Sequence, residues 1–422
     1  MVRGSYTLDP GPATMLTALL VAASLQGGGF DIPGGYHWDG MGRTAFFLDD
    51  LTGDGVAEIG TSAFCADSNG VNSGAVYVCD GRTGARLRRH VGPGCKVRLG
   101  EAGATVGDLD LDGYLDYAAG ARFAAFAGPA SGSVWVWSGF SGATLLRIDG
   151  RAAGEQFGHA LCGPGDIDGD GVPDLLVGLP AARSGQGEAR IHSGADGRLL
   201  RAHTGIYTAG ALGAAVAPCG DVDADGRPDY AVGLPGAMHD LGLVRIYSGA
   251  GGTLAEWTGD VGGGRFGAVL AAAGDCDGDG FSELLVGQPG AGAIQLWSPR
   301  LDQMLRRHAL PPSLAGRGLG TAAAGAGDVD GDGFADYLLG LPGEWRGFHF
   351  LAPGGPVLVV SGATGLLLGR IQPTGPDDAF GHALAGGVDL NGDGRPDFLI
   401  GAPAWGDLLV NAPGALCVRY SR

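Results

Sequence analysis

Seven nine-residue stretches of the chain carry three or four carboxylates each, at closely spaced alternate positions. They read DLTGDGVAE from Asp50, DLDLDGYLD from Asp108, DIDGDGVPD from Asp166, DVDADGRPD from Asp221, DCDGDGFSE from Asp275, DVDGDGFAD from Asp328 and DLNGDGRPD from Asp389. Like charges held this close repel one another. A hard cation that takes several oxygen ligands at once removes that penalty, and Ca²⁺ is the usual choice. Position 6 is glycine in every copy, from Gly55 and Gly113 to Gly333 and Gly394, as a turn with positive φ requires. The other common Ca²⁺ loop, the EF-hand, needs Glu at position 12 between helices. Here position 12 is Val177, Val232 or Val286, and the flanks read as strands.

The loops also account for the charge. They hold 26 of the 45 acidic residues, leaving 19 against 27 basic ones, so the formal charge of −18 belongs to the loops. No Lys/Arg run offers a nucleic-acid surface. Glycine contributes 85 of 422 residues, yet 45% of the chain is apolar, which describes a turn-rich folded protein. Residues 15–24, MLTALLVAAS, are too short to span a bilayer and sit where the core of a secretion signal would. Residues 1–26 therefore read as a signal peptide or disordered N-terminus, residues 27–422 as the folded domain, and the location as secreted, cell-surface or periplasmic. No other segment reads as transmembrane. Seven cysteines, at 65, 79, 95, 162, 219, 276 and 417, are an odd number without metal-type spacing. An oxidising compartment would allow one disulfide among Cys65, Cys79 and Cys95.

The loops recur every 53 to 61 residues, a period that means a propeller, solenoid or array. Before most loops stands a small-residue strand opened by Phe-Gly or Leu-Gly, as in FGHALCGPGD (157–166) and FGAVLAAAGD (266–275). Such strands suit a crowded centre where several sheets converge. After the loop comes an apolar strand stopped at Gly-x-Pro, as in DLLVGLP (174–180). A third strand alternates up to a Ser-Gly turn, as in GSVWVWSGFSG (132–142), and a fourth follows, such as 145–148. Four strands in each of seven units predict an all-β, seven-bladed β-propeller of antiparallel blades. The chain ends in the third strand of its last unit, while Phe30, Asp31 and Ile32 stand where a fourth strand would precede the first. The N-terminal stretch is therefore expected to pair with the last blade and close the ring, and the chain to act as a monomer.

The order of Phe-Gly, acidic loop and Gly-x-Pro over residues 30–422 resembles the FG-GAP repeat of integrin α-subunit N-terminal propellers and their bacterial relatives. The first two units depart most, with TAFFLDD in the first strand and Ala121-Arg122 where Ala-Pro is expected. The resemblance implies side-chain ligands at loop positions 1, 3, 5 and 9 and a backbone carbonyl at 7. These positions are Asp50, Thr52, Asp54 and Glu58 in the first loop; Asp108, Asp110, Asp112 and Asp116 in the second; and Asp166, Asp168, Asp170 and Asp174 in the third. They continue as Asp221, Asp223, Asp225 and Asp229; Asp275, Asp277, Asp279 and Glu283; Asp328, Asp330, Asp332 and Asp336; and Asp389, Asn391, Asp393 and Asp397. Up to seven structural Ca²⁺ ions follow from that carry-over. The competing reading is that some loops are polar turns whose aspartates bond their own backbone. Thr52 is neutral and short, so the first site is expected to be the weakest.

Signs of catalysis are few. GGGRFG (262–267) satisfies G-x-G-x-x-G but leads into a strand, H-E-x-x-H is missing, and Ser141 lacks the second glycine of a nucleophile elbow. His159 and His382 share one repeat position after Phe-Gly and read as inner-strand residues. The connections between second and third strands, which the resemblance places on the face away from the acidic loops, carry Phe123, Phe126, Trp345, Phe348, Phe350 and Trp405. Aromatics displayed on a rigid scaffold serve binding, unless the loops fold over them. The sequence thus points to a non-enzymatic recognition or adhesion module for a protein or glycan. A propeller-based carbohydrate lyase or hydrolase, with Glu344, His239, Asp240 and Asp407 as candidates, and a structural envelope protein are the alternatives.

Overall fold

A computed structural model describes residues 14–15, 28–35, 39–310, 317–346, 349–352, 355–373, 379–403 and 413–421. It is a seven-bladed β-propeller. The first blade runs Met41–Phe47, Ile59–Ala63, Ala75–Cys79 and Arg86–Val91, and the third runs Ala160–Gly165, Asp174–Leu179, Glu188–His192 and Leu199–Thr204. Each blade is an antiparallel meander. The seven first strands touch in a closed cycle, from the first blade round to the seventh and back.

The ring closes as the sequence implied. Gly29–Pro33 pairs antiparallel with Ala415–Arg419, placing Phe30 opposite Val418, Asp31 opposite Cys417 and Ile32 opposite Leu416. Arg419 adds an ion pair to Asp31 at 2.7 Å. The outermost strand of the last blade thus comes from the opposite end of the chain. Of the expected leader, only Thr14–Met15 is described, as a short parallel partner of His308 and Ala309 outside the fifth blade; the rest lies outside the described residues. Cys65, Cys79 and Cys95 are free thiols, so the disulfide allowed among them is not formed.

Blades pack face to face, so each second strand is buried on both sides, as in Asp174–Leu179 and Asp229–Leu234. Seven hydrophobic clusters follow, one at each blade interface. The Phe of Phe-Gly plugs these interfaces: Phe157, Phe266 and Phe380 are fully buried, as are Leu212 and Leu319 in the same place. The glycine that follows has φ near +85° and meets the backbone of the neighbouring blade, where a Cβ at Gly158 would come within 2.8 Å of the Ser133 carbonyl. The unusual first strand fits by compensation. Phe46 occupies the space above Gly60, where any Cβ would overlap its ring, and packs on Tyr117 of the second blade at 6.1 Å. Three interfaces also carry a hydrogen bond between a fourth-strand histidine and a second-strand tyrosine: His90 to Tyr117 at 2.6 Å, His203 to Tyr230 at 2.8 Å and His308 to Tyr337 at 2.6 Å.

Candidate metal centres

Each acidic loop joins a blade's first strand to its second, so all seven lie at one end of the propeller. A shared hydrogen-bond pattern shapes them. The carboxylate at position 1 accepts backbone N–H groups from across the loop: Asp166 takes those of Gly169 at 2.7 Å, Asp170 at 3.2 Å and Gly171 at 2.8 Å. Position 5 caps position 7, as when Val172 N–H donates to Asp170 Oδ1 at 2.9 Å. These bonds curl the loop around its own carboxylates. Glycine at position 6 has φ between +84° and +92° throughout, in agreement with the sequence reading. Position 4 is left-handed as well, and there the chain places two non-glycine residues, Leu111 at φ 60° and Ala224 at φ 59°. Nothing in the sequence pattern flagged that strain.

Position 9 behaves differently. It belongs to the second strand, is fully buried in loops two, three, four, six and seven, and bridges two turns of its blade. Ile167 N–H donates to Asp174 Oδ2 at 2.8 Å, and Gly194 N–H, from the hairpin between third and fourth strands, donates to Asp174 Oδ1 at 3.1 Å. Asp116 takes Leu109 and Gly139, Asp229 takes Val222 and Gly249, Asp336 takes Val329 and Gly362, and Asp397 takes Leu390 and Ser421 in the same way. Burial raises these acids: Asp116, Asp174, Asp336 and Asp397 are pushed up to about 6, and Glu283 to about 7. A cation in the loop would restore their charge.

Carboxylate oxygens meet within 4.8 Å of one another in five loops. In loops two and three the groups are Asp108, Asp110 and Asp116, and Asp166, Asp168 and Asp174. In loops four, five and six they come from positions 1, 3 and 5: Asp221, Asp223 and Asp225; Asp275, Asp277 and Asp279; Asp328, Asp330 and Asp332. Three or more hard oxygen donors around one point fit a divalent cation of the Ca²⁺ kind. Among the described residues, loops one and seven bring no such trio together. In the first, Arg82 holds Asp54 in an ion pair at 2.8 Å, putting a guanidinium on one expected ligand. In the seventh, the Asn391 amide donates to Asp393 at 3.1 Å and so ties two expected ligands to each other. The third loop is also touched by an arginine, Arg198 on Asp168 at 2.5 Å.

Of the aromatic candidates, Phe123 and Phe126 lie at the other end, in the connection between the second and third strands of the second blade. Phe126 is exposed, with the Arg147 guanidinium stacked 3.6 Å from its ring centre. Phe123 is half-buried beneath Arg122 and Arg98. Trp345 and Phe350 fall in a small hairpin, Glu344–Arg346 with His349–Ala352, where the sequence reading had a loop. Their side chains, together with Phe348, Trp405 and Asp407, lie outside the described residues. His239 and Asp240 are exposed on a short turn of the fourth blade.

Family models match the chain in two places, "FG-GAP repeat" over residues 380–419 and "FG-GAP-like repeat" over 166–232. The chain therefore carries FG-GAP-type repeats in these two stretches. Its relatives include Integrin alpha pat-2 of Caenorhabditis briggsae, 30% identical over 277 residues, covering 55% of this chain and 22% of that protein. Integrin alpha-V of Gallus gallus is 29% identical, covering 46% and 20%, and Integrin alpha-IIb of Homo sapiens is 32% identical, covering 36% and 17%. The chain thus spans about a fifth of the length of these relatives. By fold it is also similar to a chain from the crystal structure of BBS1N in complex with ARL6DN, soaked with mercury. There the TM-score is 0.57 and the identity 13%, with 94% of this chain and 98% of that one covered. No described helix is long and apolar enough to cross a membrane.

Proposed function

We propose that this FG-GAP propeller is a Ca²⁺-binding, non-enzymatic recognition or adhesion module that works in secreted or surface-held form. Residues 27–422 would form the propeller, residues 1–26 an export signal, and the ions would be structural. The observation that carries the reading is the convergence of carboxylates in five loops at equivalent places in five blades. Every ligand the loops offer comes from within one blade, so an ion joins first strand to second and leaves little open coordination for chemistry. Similarity to integrin α chains favours adhesion over turnover. The test is a screen of the Ca²⁺-loaded protein against protein and glycan arrays, with product analysis of every hit. A saturable complex whose ligand is recovered intact supports the proposal; release of cleaved or eliminated glycan overturns it.

A further inference from the structure

The residue following Phe-Gly opens the innermost strand of each blade, at the centre of the ring and at the end away from the acidic loops. Going round the blades it is Arg43, Glu101, His159, Ala214, Ala268, Thr321 and His382. Blades four to six show that the fold is satisfied there by small residues. Blades seven, one, two and three instead place His382, Arg43, Glu101 and His159 side by side. Arg122, which stands where the repeat expects proline, reaches into the same arc. Its guanidinium grips Glu101 through Nη2 at 2.6 Å and Nε at 2.9 Å and donates from Nη1 to His159 Nδ1 at 2.8 Å. Arg43 donates from Nη1 to His382 Nε2.

Two rings hold a third arginine in line. Arg43 and Arg98 lie over Phe64 at 5.6 and 5.8 Å from its centre, and Arg98 and Arg122 over Phe123 at 5.1 and 4.8 Å. The result is a ladder of three guanidinium groups separated by two aromatic faces. Because an arginine can only donate, the ring nitrogens it meets are acceptors, and both histidines are neutral. Burial and the neighbouring arginines hold His159 down to about 4 and His382 to about 3. Among the described residues, three fixed positive charges therefore stand around the Glu101 carboxylate, within a chain whose formal charge is −18. The three arginines and both histidines keep only partial access to water, while Glu101 is buried.

We propose that this arc at the axial mouth binds a compact oxyanion, a carboxylate or a phosphate-type group, between Arg43, Arg98 and Arg122. Guanidinium groups suit planar and tetrahedral oxyanions because their N–H donors form a fixed fork. The partial loss of hydration that lowers Arg43 is the environment in which a bound anion is strongly favoured. Nothing in this site depends on what the acidic loops hold, so either reading can fail without the other.

The test is a titration of the full-length, Ca²⁺-loaded protein with acetate and with sulfate, the latter replacing phosphate to avoid calcium precipitation. Chloride at matched ionic strength is the reference, and the imidazole NMR signals of His159 and His382 are the readout. A saturable shift is expected, weakened at least tenfold by Arg122→Gln or Arg43→Gln. Arg98→Gln, outside the inner strand, should weaken it several-fold and serves if the inner variants fail to fold. A response to acetate alone assigns a peptide carboxylate as the source, and a stronger response to sulfate assigns a phosphate-type group. No saturable shift with either anion by 20 mM, on the order of the weakest specific site worth the name, or a shift unchanged in the variants, overturns the proposal.

Discussion

Replacing Asp174 by alanine should cost far more stability than replacing Asp170, although the loop pattern treats both as metal ligands. Asp174 is fully buried, and its two oxygens accept N–H groups from Ile167 and Gly194, both otherwise enclosed. Truncation leaves both donors without a partner, at about 1–3 kcal/mol each, so the expected loss is about 2–6 kcal/mol. Asp170 is exposed and caps only the Val172 N–H, so in EDTA its removal should cost less than about 1 kcal/mol. Urea unfolding of both variants in EDTA, followed by far-UV dichroism, isolates this contribution from any ion. With Ca²⁺ present both variants should lose further ground. If Asp174→Ala in EDTA unfolds at the same urea concentration as Asp170→Ala, the buried acid is no clasp and the reasoning fails.

Deleting residues 30–33 removes the closing strand, including buried Ile32, and should lower the melting temperature sharply; an unchanged melt would refute closure. Leu111→Gly and Ala224→Gly relieve left-handed strain and should be neutral or stabilise by up to about 1 kcal/mol in chemical denaturation, whereas Gly113→Ala should destabilise. Arg82→Gln releases Asp54 and should tighten the first loop, otherwise the weakest site by calorimetry. Acid should loosen the His–Tyr interfaces. His308 is held down to about 4 by burial, so between that value and the ordinary 6.5 the unfolded chain binds a proton that the folded one does not. Its stabilisation is full above pH ~6.5 and falls as pH drops toward 4, by about 2 kcal/mol at pH 5. His308→Gln should flatten that slope. The raised acids at position 9 slope the opposite way in metal-free protein, so the comparison is between variant and wild type under one condition.

The repeat made the propeller legible because each blade's role is written in residue type: small residues at the crowded centre, Phe-Gly at the interface, proline at the strand end. Even the closing strand at Phe30 to Ile32 could be placed by counting. Three features escaped because they depend on neighbours that the repeat does not encode. Phe46 looked like a break in the pattern, and only the space over Gly60 explains it. Position 9 looked like one ligand among four, and its second task, joining Leu109 to Gly139 or Ile167 to Gly194, needs the hairpin that the fold brings alongside. His159 and His382 read as inner-strand residues, but a bond from Arg122 in one case and Arg43 in the other ties each to a departure from the repeat. The signal was available in the sequence: the departures cluster in adjacent blades. The expectation that the first loop is the weakest was read from Thr52, while the structure adds the competing cation Arg82.

We propose that the acidic loops are divalent-ion cages within a closed ring of blades. The most direct measurement is the calcium content of purified protein by elemental analysis, paired with melting in Ca²⁺ and in EDTA. Purified protein should carry at least five ions per chain, matching loops two to six, and should lose thermal stability clearly on chelation. Protein that binds no calcium and melts identically in EDTA would contradict it.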